Sequence, residues 1–294
     1  MTILQAIILG IVQGLTEFIP ISSTAHLVIA SRLAGLYAGV DSALRAEQTT
    51  ATIAVIQLGT LLAVLIYFAR DIVNSTRALV GDHIALLTKR GNPNAGARLS
   101  PNAWLGWLVI IGSIPVATVG LLFKRQIEGS FTKNLWVIAT MMIVIAILLA
   151  LAEAVGKKTR ALPELGVGDA LAVGFAQVLA LIPGSSRSGS TIMAGLFAGE
   201  TRETAARFSF LLSMPAIAAS GLLELKEAMH KLPDGSFLPL AVATVVSGIV
   251  GYASIWFLLR FLRTHSTAVF IVYRLIVGGL IFAALLTGYV SATA

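Results

Sequence analysis

Six apolar runs restrict what this chain can fold into. Residues 48–69, 99–123, 134–152, 235–259 and 275–294 contain no Asp, Glu, Lys or Arg. Residues 208–223 form a shorter run of the same kind. A helix needs about 20 mostly apolar residues to cross the hydrocarbon of a bilayer. Inside that layer every backbone N–H and C=O must be satisfied internally. The runs are therefore read as six spanning helices, and the chain as an all-α polytopic membrane protein. Composition agrees: 12% of residues are charged and mean hydropathy is +0.89, against about 25% charged in a soluble domain. There is no cysteine, which excludes disulfides and thiolate metal sites. The net charge of +7 invites a nucleic-acid reading. However, the Lys and Arg lie between apolar spans, the pattern of topology determinants. Anionic lipid headgroups fit as partners and nucleic acid does not. The start, Met1-Thr2-Ile3-Leu4-Gln5, lacks the positive region of a cleavable signal peptide, so insertion by the chain's own spans is expected.

Two further apolar stretches are each broken by Pro and Ser. Residues 3–19 are followed by 24–34, and residues 170–182 by 190–198. Neither second arm is long enough to cross alone. Irregular backbone at membrane depth is tolerated where it lines a cavity or is buried in protein. Both stretches are read as re-entrant helical hairpins. They also resemble each other: Gly10-x-x-Gln13 precedes Pro20-x-Ser22-Ser23, and Gly174-x-x-Gln177 precedes Pro183-x-Ser185-Ser186, with spacing that differs by one residue. If three spans follow each hairpin, the halves (about 1–155 and 165–294 of one membrane domain, 1–294) enter from opposite sides. That is an inverted-topology repeat, with its site near the midplane. Lys and Arg divide twelve against seven between the two sides, which makes the side of 70–98, 157–160, 202/207 and 260/263 cytoplasmic. The longest loop, 81–102, falls there. Lys124, Arg125 and Lys133 oppose the rule.

The chemistry concentrates in the two breaks. Glu17 is the one acid between Met1 and Val40, and intramembrane acids are functional by default. Gln13 lies four residues earlier, on the same helix face. Ser22 or Ser23 can cap the second arm, whose free N–H groups and positive end suit phosphate; Thr24 follows them. His26 lies three residues after Ser23, within reach of a Ser–His hydrogen bond. Arg187 brings a permanent charge with bidentate phosphate geometry, in a run with Ser186, Ser188 and Thr191. A buried ion pair between Arg187 and Glu17 is compatible with function, because a substrate can break it. Arg274, at the start of the last expected span, is a weaker candidate or an interfacial anchor. Gln57 is a site donor or an interhelical one. Trp104, Trp107, Trp136 and Trp256 read as interface anchors or packing.

Gln13-Gly14-Leu15-Thr16-Glu17-Phe18 with Pro20-Ile21-Ser22-Ser23-Thr24-Ala25-His26 resembles the first motif of the undecaprenyl-diphosphate phosphatases of the bacitracin-resistance type. Pro183-Gly184-Ser185-Ser186-Arg187-Ser188-Gly189 with Thr191 resembles the second. Order and separation match, and the likeness covers nearly the whole chain. The resemblance implies a multi-pass enzyme of the bacterial inner membrane whose site opens to the periplasm. It implies conversion of undecaprenyl diphosphate to undecaprenyl phosphate, which recycles the carrier for peptidoglycan and confers bacitracin resistance. It also implies a divalent cation, Mg²⁺ or Ca²⁺, with Glu17 as ligand. Glu17, His26 and Arg187 match the essential acid, base and arginine, and Ser23 the proposed nucleophile, with His26 itself or an activated water as the open alternatives. Gln13, Ser22, Thr24, Ser186, Ser188 and Thr191 are the substrate contacts. Gln13 stands where many members have a second Glu, and Ala25 where Gly is commoner. A homodimer is one candidate assembly. Two other readings fit parts of the sequence. The same site could carry an anion or lipid phosphate across the membrane, as inverted repeats do, although a carrier has no need of a Ser–His pair. The type-2 phosphatidate phosphatases share Ser-His and Ser-Arg elements, but their Lys-rich first motif is missing.

Overall fold

Thr2 opens the first helix. Its hydroxyl accepts from the Gln5 N–H (3.2 Å) while the Gln5 side chain accepts from the Thr2 N–H (2.8 Å), a reciprocal cap. The computed structural model describes residues 1–88, 99–123, 134–232 and 235–292. In it this helix, α1, spans Ile3–Phe18 and stops before Pro20. It is followed by α2 (Ser23–Leu33), α3 (Ser42–Tyr67), α4 (Ala69–Leu87), α5 (Pro101–Leu122) and α6 (Leu135–Val155). The second broken element is α7 (Val167–Val178), a 3₁₀ turn (Leu179–Leu181) and α8 (Arg187–Phe197). Then come α9 (Arg202–Lys231), α10 (Phe237–Leu262) and α11 (Ala268–Leu286).

Five helices among the described residues are long and apolar enough to cross a membrane: Glu47–Tyr67, Pro101–Leu122, Leu135–Val155, Phe237–Leu262 and Ala268–Leu286. The sixth expected span lies inside α9, which is 30 residues long. The second arms α2 and α8 have 11 residues each. They reach about 16 Å at 1.5 Å per residue, roughly half of the hydrocarbon. The architecture is that of an all-α polytopic membrane protein containing two broken hairpins.

Two expectations need correction. The last span begins at Ala268 and not at 275, because Arg274 lies inside the helix and is fully buried. The expected loop, 81–102, is helical at its start: α4 runs to Leu87 with none of its residues buried. Residues 89–98 of the expected loop, together with Lys124, Arg125 and Lys133, lie outside the described residues.

The two hairpins are built alike. Ser22 (φ 78°) and Ser186 (φ 68°) are the N-caps of the second arms, both in the left-handed region. Each accepts from the N–H three residues on, Ala25 (3.5 Å) and Gly189 (3.1 Å). Each arm ends at an alanine, Ala34 or Ala198, followed by a left-handed glycine, Gly35 or Gly199. This fixes a register that differs from the proline-based alignment. Gln13 to Ser22 and Gln177 to Ser186 are both nine positions, so Ser22 matches Ser186 and Ser23 matches Arg187. Each first arm also crosses a span of the other half at a glycine. A Cβ at Gly14 would lie 2.7 Å from Val250, and one at Gly174 would strike the Gly112 carbonyl. Small residues at such crossings let backbones approach.

The molecule has two chemically distinct ends. Arg32 donates to the Ser291 carbonyl (3.3 Å) and the Leu135 N–H to that of Ala292 (2.8 Å), which gathers the ends of α2 and α11 and the start of α6. The opposite end carries ion pairs between elements: Arg160–Asp169 (2.6 Å), Arg202–Glu153, Arg207–Asp71 (2.6 Å) and Arg263–Glu203 (2.7 Å).

Candidate active site

The α1 break and the start of α8 meet. A guanidinium nitrogen of Arg187 donates to Glu17 Oε1, an ion pair linking the two hairpins. Glu17 Oε2 accepts from Gln13 Nε2 (3.0 Å), the i, i+4 pair that helix geometry requires. Glu17 and Gln13 are buried, and the Arg187 side chain keeps 14% of its exposure. Gln13 Nε2 also reaches Thr60 Oγ1 on α3 (3.4 Å). Thus Thr60, and not Gln57, represents α3 here; Gln57 offers its carbonyl to Thr60 Oγ1 (2.8 Å). The Ser188 hydroxyl donates to the Ile19 carbonyl (3.3 Å), a second link between the breaks.

His26 differs from expectation. Its Nδ1 bonds the Ser22 carbonyl (2.7 Å) and its Nε2 meets the Tyr273 hydroxyl (2.7 Å). A carbonyl only accepts, so Nδ1 carries the proton and Nε2 of the neutral ring accepts from Tyr273. The ring stacks on Tyr273 with centroids 5.5 Å apart. Both nitrogens are thereby engaged, and the expected Ser23–His26 hydrogen bond gives way to these partners. Ser23 opens α2 as Arg187 opens α8. Thr24 is exposed on the same turn. Ser186 caps α8 and shares a hydrogen bond with Ser188 (3.2 Å). Thr191 is fully buried, donates to the Arg187 carbonyl (2.8 Å) and pairs with Ser209 (2.6 Å), bracing the start of α8.

Arg274 is the residue whose weight was underestimated. Far from anchoring at an interface, it is fully buried. Its guanidinium reaches five backbone carbonyls: Met142 (3.1 Å), Met141 (3.2 Å), Pro20 (3.3 Å), Gly184 (3.0 Å) and Ser185 (3.1 Å). Pro20 lies in one break and Gly184 and Ser185 in the other, so one side chain holds both. Carbonyls freed by a helix break must be satisfied internally at membrane depth, and a five-donor fork suits that task. Tyr273 and Arg274 make α11 a wall of the site. The available signal was an Arg flanked by apolar residues; treating it as a span boundary hid it.

Comparison with known proteins agrees with this geometry. The family model described as bacitracin resistance protein BacA matches residues 6–280. A protein of Syntrophobacter fumaroxidans named undecaprenyl-diphosphatase is 54% identical, over 95% of this chain and 96% of its own. Proteins of the same name from Prosthecochloris aestuarii and Mycolicibacterium gilvum are 47% and 46% identical, each over 99% of this chain and 100% of their own. None of the three is named for transport. With matching motifs, a joined pair of hairpins and full-length identity at this level, the chain belongs to the BacA family.

Proposed function

We propose that the protein hydrolyses undecaprenyl diphosphate to undecaprenyl phosphate and phosphate, recycling the lipid carrier for wall synthesis and conferring bacitracin resistance. The observation that carries this reading is the Arg187–Glu17 pair, formed between two hairpins that each present a helix N-terminus. The diphosphate takes Arg187 from Glu17, gaining a charge-assisted fork and the first N–H groups of α2 and α8. Phosphoryl transfer depends mainly on such positioning and charge stabilisation. The freed Glu17 carboxylate accepts the Ser23 proton. Ser23 Oγ bonds the terminal phosphorus as the bond to the undecaprenyl phosphate oxygen breaks. Water then displaces Oγ, releasing phosphate and restoring the hydroxyl. His26 Nε2, once it exchanges Tyr273 for the reacting group, is the alternative base for that proton.

A divalent cation fits the oxygens present only in part. Glu17 and the buried Gln13 Oε1, which has no hydrogen-bond partner, would hold it together with the diphosphate. It would supply positive charge against the diphosphate oxygens. Among the described residues no cluster of three His, Cys, Asp or Glu forms a metal cage.

The site is read as opening toward the less basic end, the periplasmic one by the positive-inside rule. The test is phosphate release from undecaprenyl diphosphate by the purified protein, with capture of a phosphoenzyme in wild type, Ser23→Ala and His26→Ala. Wild-type turnover in both Glu17→Gln and Arg187→Ala would sink the reading.

A further inference from the structure

At the arginine-rich end, away from Glu17 and Arg187, the ends of α3 and α10 and the starts of α4 and α9 line an open cavity of about 160 Å³. This is far above the roughly 10–15 Å³ that a single water needs. Its walls are the guanidinium groups of Arg207, Arg260 and Arg263 and the rings of Tyr67, Phe68 and Trp256. Two of the cations are paired inside the cavity, Arg207 with Asp71 (2.6 Å) and Arg263 with Glu203 (2.7 Å). Arg260 instead lies over the Trp256 ring, 5.9 Å from its centroid. Arg207 has a further donor, Nε, that is buried and without a partner. The cavity lining therefore carries one positive charge beyond its acids, suited to a phosphate oxygen.

Its depth identifies the source of that phosphate. Tyr67 ends one candidate span and Leu262 another, so the cavity lies at headgroup level. Basic pockets between spanning helices at that level bind anionic lipid headgroups. Toward the hydrocarbon, α10 exposes Tyr252, Trp256 and Phe257 at 44%, 54% and 45%, a surface for acyl chains. The cavity is not a rear door of the catalytic site. Phe68, Phe210 and Phe18 stand between them, with successive centroids 6.3 and 5.3 Å apart.

We propose that this cavity binds the phosphate of an anionic phospholipid in the leaflet at the arginine-rich end. The full chain in nanodiscs is examined by native mass spectrometry with phosphatidylglycerol, with phosphatidylcholine, and with inorganic phosphate. Wild type retains phosphatidylglycerol in preference to phosphatidylcholine. Arg260→Gln weakens retention roughly fivefold, one arginine's share near an anionic surface. Arg207→Lys, which keeps the charge but loses the planar guanidinium fork, weakens it as well. Arg260 is exposed, so its variant keeps the wild-type melting point in phosphatidylcholine alone and the wild-type hydrolysis rate there. Equal retention by wild type and both variants overturns the proposal. So does displacement of the lipid by inorganic phosphate with equal stabilisation, which would make this a free-phosphate site. Retention is read without turnover, so its failure and a failure of hydrolysis are separate results.

Discussion

Arg187 and Glu17 neutralise each other in the resting site, and a diphosphate must separate them. Arg187→Lys keeps the charge but loses the planar fork. It is expected to lower turnover about 100-fold, the scale of losing one preorganised charge-stabilising donor; phosphate release under saturating substrate measures it. Tyr273 acts through His26. Tyr273→Phe leaves Nε2 without its donor and the ring less well oriented. Turnover should fall a few-fold, in line with about 1 kcal/mol for one hydrogen bond, and the pH profile of hydrolysis should move. A Tyr273 that only packs would leave that profile in place. Arg274 is structural in a stricter sense. Arg274→Met strands five carbonyls at about 1–3 kcal/mol for a buried unsatisfied group, so detergent-solubilised protein should melt far lower or fail to accumulate.

At the scale of elements, the hairpins were legible because Pro and Ser interrupt apolar arms too short to cross. Their register was not, because the prolines, the most visible landmarks, are not equivalent positions in the two hairpins. The shared geometry is instead the left-handed serine cap: one residue separates Pro20 from Ser22 and two separate Pro183 from Ser186, yet the caps match. A cap bond and a left-handed φ make opposite demands on a substitution. Ser22→Ala keeps the strained φ and loses the cap, at about 1 kcal/mol; Ser22→Gly loses the cap but relaxes the backbone. Thermal melting should rank Ser22→Ala below Ser22→Gly. The turn closing the second hairpin holds a buried acid, Glu200, whose carboxylate oxygens have no hydrogen-bond partner. Burial, and secondarily the Asp169 charge, push its pKa up to about 7 against the pull of Arg160. The folded state thus binds the proton more tightly than the unfolded chain. The stabilisation is complete below the ordinary carboxylate range and is lost as pH rises through 7. Melting temperature should fall from pH 5 to 8 in wild type, and Glu200→Gln should flatten that slope and melt higher at pH 8. A flat wild-type slope would place the charge elsewhere.

For the whole molecule, the sequence showed the spans and the two breaks but not what joins them. Contacts between Arg274 and carbonyls 89 to 254 positions away leave no periodic trace, and the α10–Gly14 and α5–Gly174 crossings follow from packing across halves. Charge, by contrast, makes a prediction of orientation. Arg70, Arg77, Lys157, Lys158, Arg160, Arg202, Arg207, Arg260 and Arg263 lie on α4, the α6–α7 connection or the adjoining ends of α9 and α10. Arg32 and Arg45 flank the opposite end. The positive-inside rule predicts that the first end is cytoplasmic and that the first hairpin opens to the exterior. The natural absence of cysteine permits a direct check with single cysteines in intact cells. Gly39→Cys and Gly288→Cys, both exposed near the Arg32 end, should react with a membrane-impermeant maleimide. Lys157→Cys and Thr264→Cys, exposed at the other end, should react only after permeabilisation. The reverse pattern would turn the molecule over and place the Glu17–Arg187 hairpin entrance in the cytoplasm. Labelling of all four from outside would mean that the hairpins do not divide the chain into two oppositely oriented halves.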